Sequence, residues 1–239
     1  PYQYSDTTIV VANKKIYTVV QDSIQLRSTI DANTSGYTLI TGCTTQESTT
    51  LYTYINHKLH KSTNNGTDWE FILELEDEPF FSMSFGASII NPEVVYLGAM
   101  ECHFTNNGGE TWETVNDWWD YYDYPEDMLH ADIPNIKAVL NSNGEEITYV
   151  STDGGLFQST DQLQTVQNMS LKDLNVSQYY STYTNRNNTE YVYAGSQDQG
   201  FQRSTEGNTD NTFNFDQIIS GDYGHIVSGD GGESIWMVY

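Results

Sequence analysis

The sequence predicts an all-β protein, a β-propeller of four-stranded antiparallel blades, and three observations predict it. Short runs rich in Val, Ile, Thr, Tyr and Phe are punctuated along the whole chain by Asn, Gly, Asp and Ser. That is the pattern of brief strands separated by tight turns. Sustained helical periodicity is almost absent, the exception being a short helical turn expected at 171–176. Finally, a polar hairpin chemistry recurs: Ser28, Ser62, Thr105, Ser159 and Ser204 follow one another at steps of 34, 43, 54 and 45 residues. Repeats of roughly 40–50 residues holding about four strands each are the signature of blades. A β-sandwich has no reason to repeat its hairpins at this interval.

The clearest strand runs are 8–11, 15–20, 51–55, 94–98, 148–151 and 191–195. Three segments align as copies: LYTYINHKLHKSTNNGTDWEF (51–71), VYLGAMECHFTNNGGETWETV (95–115) and ITYVSTDGGLFQSTDQLQTV (147–166). Each runs strand, small turn, strand, polar hairpin, then an aromatic or β-branched residue. Weaker copies flank them at 15–29 and 191–205. Blades are accordingly expected at 8–40, 41–76, 80–116, 129–170 and 177–219, with a partial sixth at 220–239. Half a blade leaves an unpaired strand edge. The expectation is therefore an incomplete ring, a fragment of a longer protein whose other domains are its first partners.

Composition narrows the function classes. The chain has 239 residues and a formal net charge of −24, from 9 Lys and Arg against 33 Asp and Glu. Nucleic acid is excluded as a partner, because phosphate contacts need a basic face, and an anionic membrane surface for the same reason. With 13% aromatic and only 18% charged residues the chain is not an acidic disordered tail. No apolar run is long enough for a membrane span. Cys43 and Cys102 lie in no metal-binding spacing and are open to either a disulfide or two free thiols. Sequons at Asn33, Asn65, Asn168, Asn175 and Asn187 agree with an extracellular location.

The best hairpins are Ser62-Thr63-Asn64-Asn65-Gly66-Thr67-Asp68-Trp69 and Thr105-Asn106-Asn107-Gly108-Gly109-Glu110-Thr111-Trp112. In the copy Ser159-x-Asp161, Leu163 stands where Gly is expected; Ser204-x-Glu206 runs into an expanded loop near Phe213, and Ser28 is followed by Asp31 one position late. These hairpins resemble the Asp box, or bacterial neuraminidase repeat, Ser/Thr-x-Asp/Asn-x-Gly-x-Thr-Trp/Phe. Its chemistry is local: the Asx side chain accepts backbone N–H groups of its own turn, Gly supplies a left-handed φ, and the aromatic ring is buried between sheets. The segments 152–159 (TDGGLFQS), 195–200 (GSQDQG), 220–224 (SGDYG) and His130-Ala131-Asp132 are similar to elements of secreted bacterial Asp-box propellers, a group related to sortilin-type and xyloglucanase-type propellers. The likeness covers about 50–239. It implies a secreted or cell-surface location, of the kind found in Bacteroidetes-like surface proteins.

That resemblance raises two functions. One is a non-catalytic binding or scaffold module. The other is a glycoside hydrolase of the xyloglucanase kind, which needs two carboxylates across the substrate; the candidates outside the hairpins are Asp132, Asp153, Asp198 and Asp222. Sialidase chemistry is disfavoured, because only Arg27, Arg186 and Arg203 could form the required arginine cluster. No cofactor is expected beyond a structural Ca²⁺, for which Asp222 and Asp230 are the candidate ligands. The departure from the repeat lies at 116–132, NDWWDYYDYPEDMLHAD. Its aromatic residues interleave with carboxylates, and loops on a rigid scaffold carry binding. Trp118, Trp119, Tyr121, Tyr122, Tyr124 and His130 are the expected ligand-binding residues, with a glycan or a protein as partner.

Overall fold

The computed structural model describes residues 1–21, 23–33, 35–170, 178–207 and 213–239, the side chains of 205–207 excepted. The expected helical turn at 171–176 and the expanded loop after Ser204 lie outside the described residues. The chain divides into two compact units, Pro1–Leu174 and Asn175–Tyr239.

The first unit holds four antiparallel four-stranded sheets, each a simple meander. The first contains β1 (Tyr2–Tyr4), β2 (Thr7–Ala12), β3 (Lys15–Val20) and β4 (Ser23–Thr29). The second contains β5 (Thr38–Thr44), β6 (Thr49–Ile55), β7 (Lys58–Ser62) and β8 (Glu70–Glu74). The third contains β9 (Phe85–Ala87), β10 (Val95–Gly98), β11 (Cys102–Thr105) and β12 (Glu113–Thr114), and the fourth β13 (Asn135–Leu140), β14 (Glu146–Thr152), β15 (Gly155–Ser159) and β16 (Gln167–Asn168). These are propeller blades, and they do not close a ring. The second unit has a further four-stranded meander, β17 (Ser181–Thr184), β18 (Val192–Gly195), β19 (Phe201–Gly207) and β20 (Phe213–Ile219), followed by the pair β21 (Ile226–Val227) and β22 (Trp236–Met237).

The first sheet spans Tyr2 to Thr29, earlier than the expected 8–40, because Tyr2–Tyr4 pairs with β2. The second begins at Thr38 rather than 41. Gly42 sits inside β5, opposite Leu51. A Cβ there would stand 2.5 Å from the Thr50 carbonyl oxygen. The glycine permits close strand approach and marks no turn.

Alternation along the strands builds the core. Leu51 and Ile55 of β6 face the first sheet, in a cluster with Ile9, Ile16 and Ile40. Tyr52 and Tyr54 of the same strand face the third, beside Phe85, Val95 and Leu97. All seven residues of β6 are buried, as a strand covered on both faces must be. The next interface joins Val94, Tyr96 and Phe104 to Ile136, Val150 and Phe157. Burial pushes the Tyr52, Tyr54 and Tyr96 hydroxyls well above the usual tyrosine range. Cys43 and Cys102 are both free and buried; burial pushes the Cys43 thiol up to about 11 and Cys102 higher still. In the second unit Phe201, Tyr223 and Ile226 form a smaller cluster.

One hydrogen-bond circuit closes three of the hairpins between third and fourth strands. Ser62 Oγ donates to Asn64 Oδ1 and accepts from the Gly66 N–H, while the Asp68 N–H donates to the same Oδ1. Thr105, Asn107, Gly109 and Thr111 repeat it, as do Ser159, Asp161, Leu163 and Thr165. Trp69 then packs against the cluster between the first and second sheets, and Trp112 against that between the second and third. Ser28 begins no such hairpin: it lies in β4, and its hydroxyl donates to the Gly66 carbonyl and accepts from Trp69 Nε1, tying the first sheet to the second. Ser204 differs too, bonding the Glu190 carbonyl and the Val192 N–H instead. A further copy, which the repeat spacing did not expose, joins β21 and β22 through Ser228, Asp230, Gly232 and Ser234.

Leu163 explains how one copy dispenses with glycine. It holds φ at +70°, where Gly66 and Gly109 have +78° and +97°. Its side chain is fully buried in the interface of the third and fourth sheets, together with Val166. Val166 occupies the position that Trp69 and Trp112 fill in the other copies, and Leu163 supplies the missing apolar volume. The left-handed backbone costs on the order of 1 kcal/mol; full burial of a leucine side chain offsets it at about 1.5–3 kcal/mol. Leu163→Ala is expected to lower stability by about 2–5 kcal/mol, read as a fall in the urea midpoint.

Asp161 adds a pH dependence. Burial works against its charge, but bonds from the Thr165 N–H, the Thr165 hydroxyl and Ser159 Oγ outweigh burial and hold its pKa below the usual carboxylate value. A depressed folded-state pKa stabilises above the unfolded pKa, and the contribution is lost as pH falls through the folded value. Asn64 and Asn107 perform the same task uncharged. Asp161→Asn is therefore expected to keep the neutral-pH stability and to flatten the acid limb of a stability–pH profile.

Candidate functional site

The insertion between the third and fourth sheets folds as a short 3₁₀ helix, Trp118–Tyr122, with an ordered loop after it. Asp117 caps the helix, its Oδ1 accepting the Trp119 N–H at 3.1 Å. Glu101, in the turn between β10 and β11, accepts the Trp118 N–H. Asn116 ties the loop at its neck: Oδ1 accepts the Leu129 N–H, and Nδ2 donates to the Leu129 and Asp117 carbonyls. On the far side Asn168 of β16 donates from Nδ2 to the Pro125 carbonyl and from its backbone N–H to the Glu126 carbonyl. Asn168 is 2% exposed and so engaged that its sequon cannot serve as a glycan acceptor in the folded chain.

Two adjacent tryptophans form the centre of the exposed face. The rings of Trp118 and Trp119 stack at 3.7 Å with an interplanar angle of 29°. Tyr122 meets Trp118 edge-on at 6.1 Å. Trp119, Tyr122 and Tyr124 are 62%, 57% and 63% exposed, and Trp118 is half-buried behind its partner. In the same segment of chain Asp117, Asp120, Asp123, Glu126 and Asp127 are all exposed.

The other two expected ligand residues stand beneath this face. His130 is 4% exposed. Its Nδ1 lies 3.2 Å from the Ala131 carbonyl, which can only accept, so that nitrogen carries the proton and Nε2 faces the Tyr122 hydroxyl at 3.5 Å. Tyr121 packs edge-on against His130 at 4.7 Å and against Phe157 at 6.5 Å. Both join the platform to the blade core. Gly154 makes room for this: a Cβ there would come within 2.5 Å of His130 Cβ.

The expected carboxylates are distributed between the two units. Asp132 has a left-handed φ of +61°, and its N–H donates to the Met100 carbonyl. The Asp153 N–H reaches the Ala131 carbonyl at 3.4 Å. In the second unit Asp222 Oδ1 accepts the Asp198 N–H at 2.9 Å. Asp230, read from the sequence as a Ca²⁺ ligand with Asp222, is a hairpin acceptor, held well below the usual carboxylate range by the Ser234 N–H and the Ser234 and Ser228 hydroxyls. The pattern Ser228-x-Asp230-x-Gly232 was the signal for this; its 24-residue distance from Ser204 and the Ile235 at the aromatic position hid it. Among the described residues no group of three or more His, Cys, Asp or Glu side chains is gathered for a metal. Arg27 lies in the outermost strand β4 and Arg203 in β19, over the Tyr191 ring.

No protein-family model matches the chain, and no curated protein does. Among solved structures it is similar to the extracellular domain of the hybrid two-component system BT3049 from B. thetaiotaomicron (13% identity, TM-score 0.37, 84% of this chain and 27% of that one). It is also similar to YCF48 from Cyanidioschyzon merolae (13% identity, TM-score 0.39, 98% and 85%) and to the GH74 xyloglucanase from Xanthomonas campestris (13% identity, TM-score 0.40, 79% and 32%). The chain thus spans about a quarter of the first protein's length and a third of the xyloglucanase's. No helix among the described residues is long and apolar enough to cross a membrane.

The three-way tether at Asn116 gives a local prediction. Asn116→Ala leaves the Leu129 N–H and carbonyl without their partner, at about 1–3 kcal/mol. The near-UV circular dichroism of the Trp118–Trp119 pair is expected to weaken while the β-sheet signal in the far UV is retained.

Proposed function

We propose that this chain is a non-catalytic binding module, an extracellular Asp-box-type propeller that presents the platform of Trp118, Trp119, Tyr122 and Tyr124 to a glycan or protein partner. One observation carries the reading: a stacked tryptophan pair left open to solvent, on a loop tethered at both ends. Burying exposed aromatic surface of this size is a large reserve of binding free energy, and a fixed loop loses little entropy when it is used. Tyr121 and His130 act from below as positioning residues.

The glycoside-hydrolase alternative rests on a pair among Asp132, Asp153, Asp198 and Asp222; in the first unit the Asp153 N–H meets the carbonyl of Ala131, the residue before Asp132. It requires both carboxylates to face a substrate across an open cleft. One experiment separates the readings. The protein and its Trp119→Ala and Tyr124→Ala variants are applied to arrays of glycans and of peptides, and the same samples are incubated with xyloglucan. Binding that falls at least about tenfold in either variant, with no release of reducing ends, is the expected result. Xyloglucan cleavage abolished by Asp132→Asn or Asp153→Asn would establish the enzyme instead.

A further inference from the structure

The platform is defined as much by its charge as by its rings. Five carboxylates, Asp117, Asp120, Asp123, Glu126 and Asp127, lie exposed within 11 residues of chain, and residues 116–129 contain no Lys or Arg. The described ion pairs lie elsewhere, at His57–Glu78, Lys61–Glu93 and His103–Asp77. Asp117 spends a single oxygen on the helix cap. A neutral ligand would gain the stacking surface and would have to leave this negative field unanswered. A cationic side chain answers both features: a guanidinium or ammonium group is drawn to an aromatic face and to neighbouring carboxylates, which a guanidinium can grip in fork geometry. The chain-wide charge of −24 attracts such a ligand from a distance.

We infer that the Trp118–Trp119 platform and its carboxylate rim dock an extended basic peptide segment, rich in Arg, of a partner protein. This rests on the binding-module reading and narrows it to one partner chemistry. An arginine lies flat on the Trp119 ring, and flanking basic side chains reach Asp120, Asp123 and Asp127. Tyr124, exposed in the same loop, covers the aliphatic stem of a neighbouring residue.

The test uses the whole chain and follows tryptophan fluorescence on titration with hexa-arginine, hexa-lysine, hexa-glutamate and maltohexaose. Hexa-arginine is expected to bind most tightly, hexa-lysine more weakly and hexa-glutamate not at all. Trp119→Ala preserves the net charge, so a loss of at least about tenfold in hexa-arginine affinity, followed by calorimetry, separates docking on the platform from attraction to an acidic protein in general. Asp120→Asn with Asp123→Asn is expected to weaken binding and to reduce its dependence on salt. Equal hexa-arginine affinity in wild type and Trp119→Ala overturns the inference. Maltohexaose binding that Trp119→Ala abolishes, with no preference for hexa-arginine, overturns it too and leaves the binding module standing with a neutral glycan as ligand. Loss of no ligand in either the Trp119 or the Tyr124 variant removes the platform as a site and takes both readings with it.

Discussion

The sheets of the first unit are stable because their neighbours cover them. β6 shows the constraint at full strength: Leu51 and Ile55 belong to one apolar cluster, Tyr52 and Tyr54 to another, and every residue of the strand is buried. A four-stranded meander alone would expose one of these faces at about 25 cal/mol per Å² of apolar surface. Stacking blade on blade removes that exposure, and it makes every blade's position depend on the one before it. Ser28 reports the dependence in polar terms, since its hydroxyl joins the first sheet to Gly66 and Trp69 of the second.

The hairpin circuits serve this packing and leave little chemistry over. Each spends a hydroxyl and an Asx oxygen on backbone N–H groups that the tight turn would otherwise strand. The acidic or amide side chain that looks most reactive in each repeat is thereby the most occupied. Asp161 and Asp230 both sit below the usual carboxylate range for this reason, with burial opposing the shift at Asp161. The insertion lies outside the repeat and is built differently: the blade below holds Tyr121 and His130, and Trp119, Tyr122 and Tyr124 are exposed.

Much of the fold was legible because blade strands alternate and hairpins repeat. The copies at Ser62, Thr105 and Ser159 form the bonds that their spacing implies. Legibility failed where one residue type has two uses. Ser28 looks like a hairpin start and is a clamp between sheets. Asp230 looks like a free carboxylate and is a hairpin acceptor, in a copy set off the repeat interval. Of the aromatic insertion, its composition was readable, but the division into an outward face and an inward support was not.

The sequence by itself determined the strand alternation, the hairpin chemistry and the place where the repeat is interrupted, because these depend on neighbours a few residues away. Tertiary structure alone decided which aromatics remain open. Trp119 and Tyr121 are two residues apart in one short helix, yet Tyr121 is drawn under by Phe157 and His130 from elsewhere in the chain while Trp119 stacks on Trp118 in solvent. It likewise allowed Leu163 to keep a glycine's backbone, since only the packed interface supplies the burial that offsets a left-handed φ.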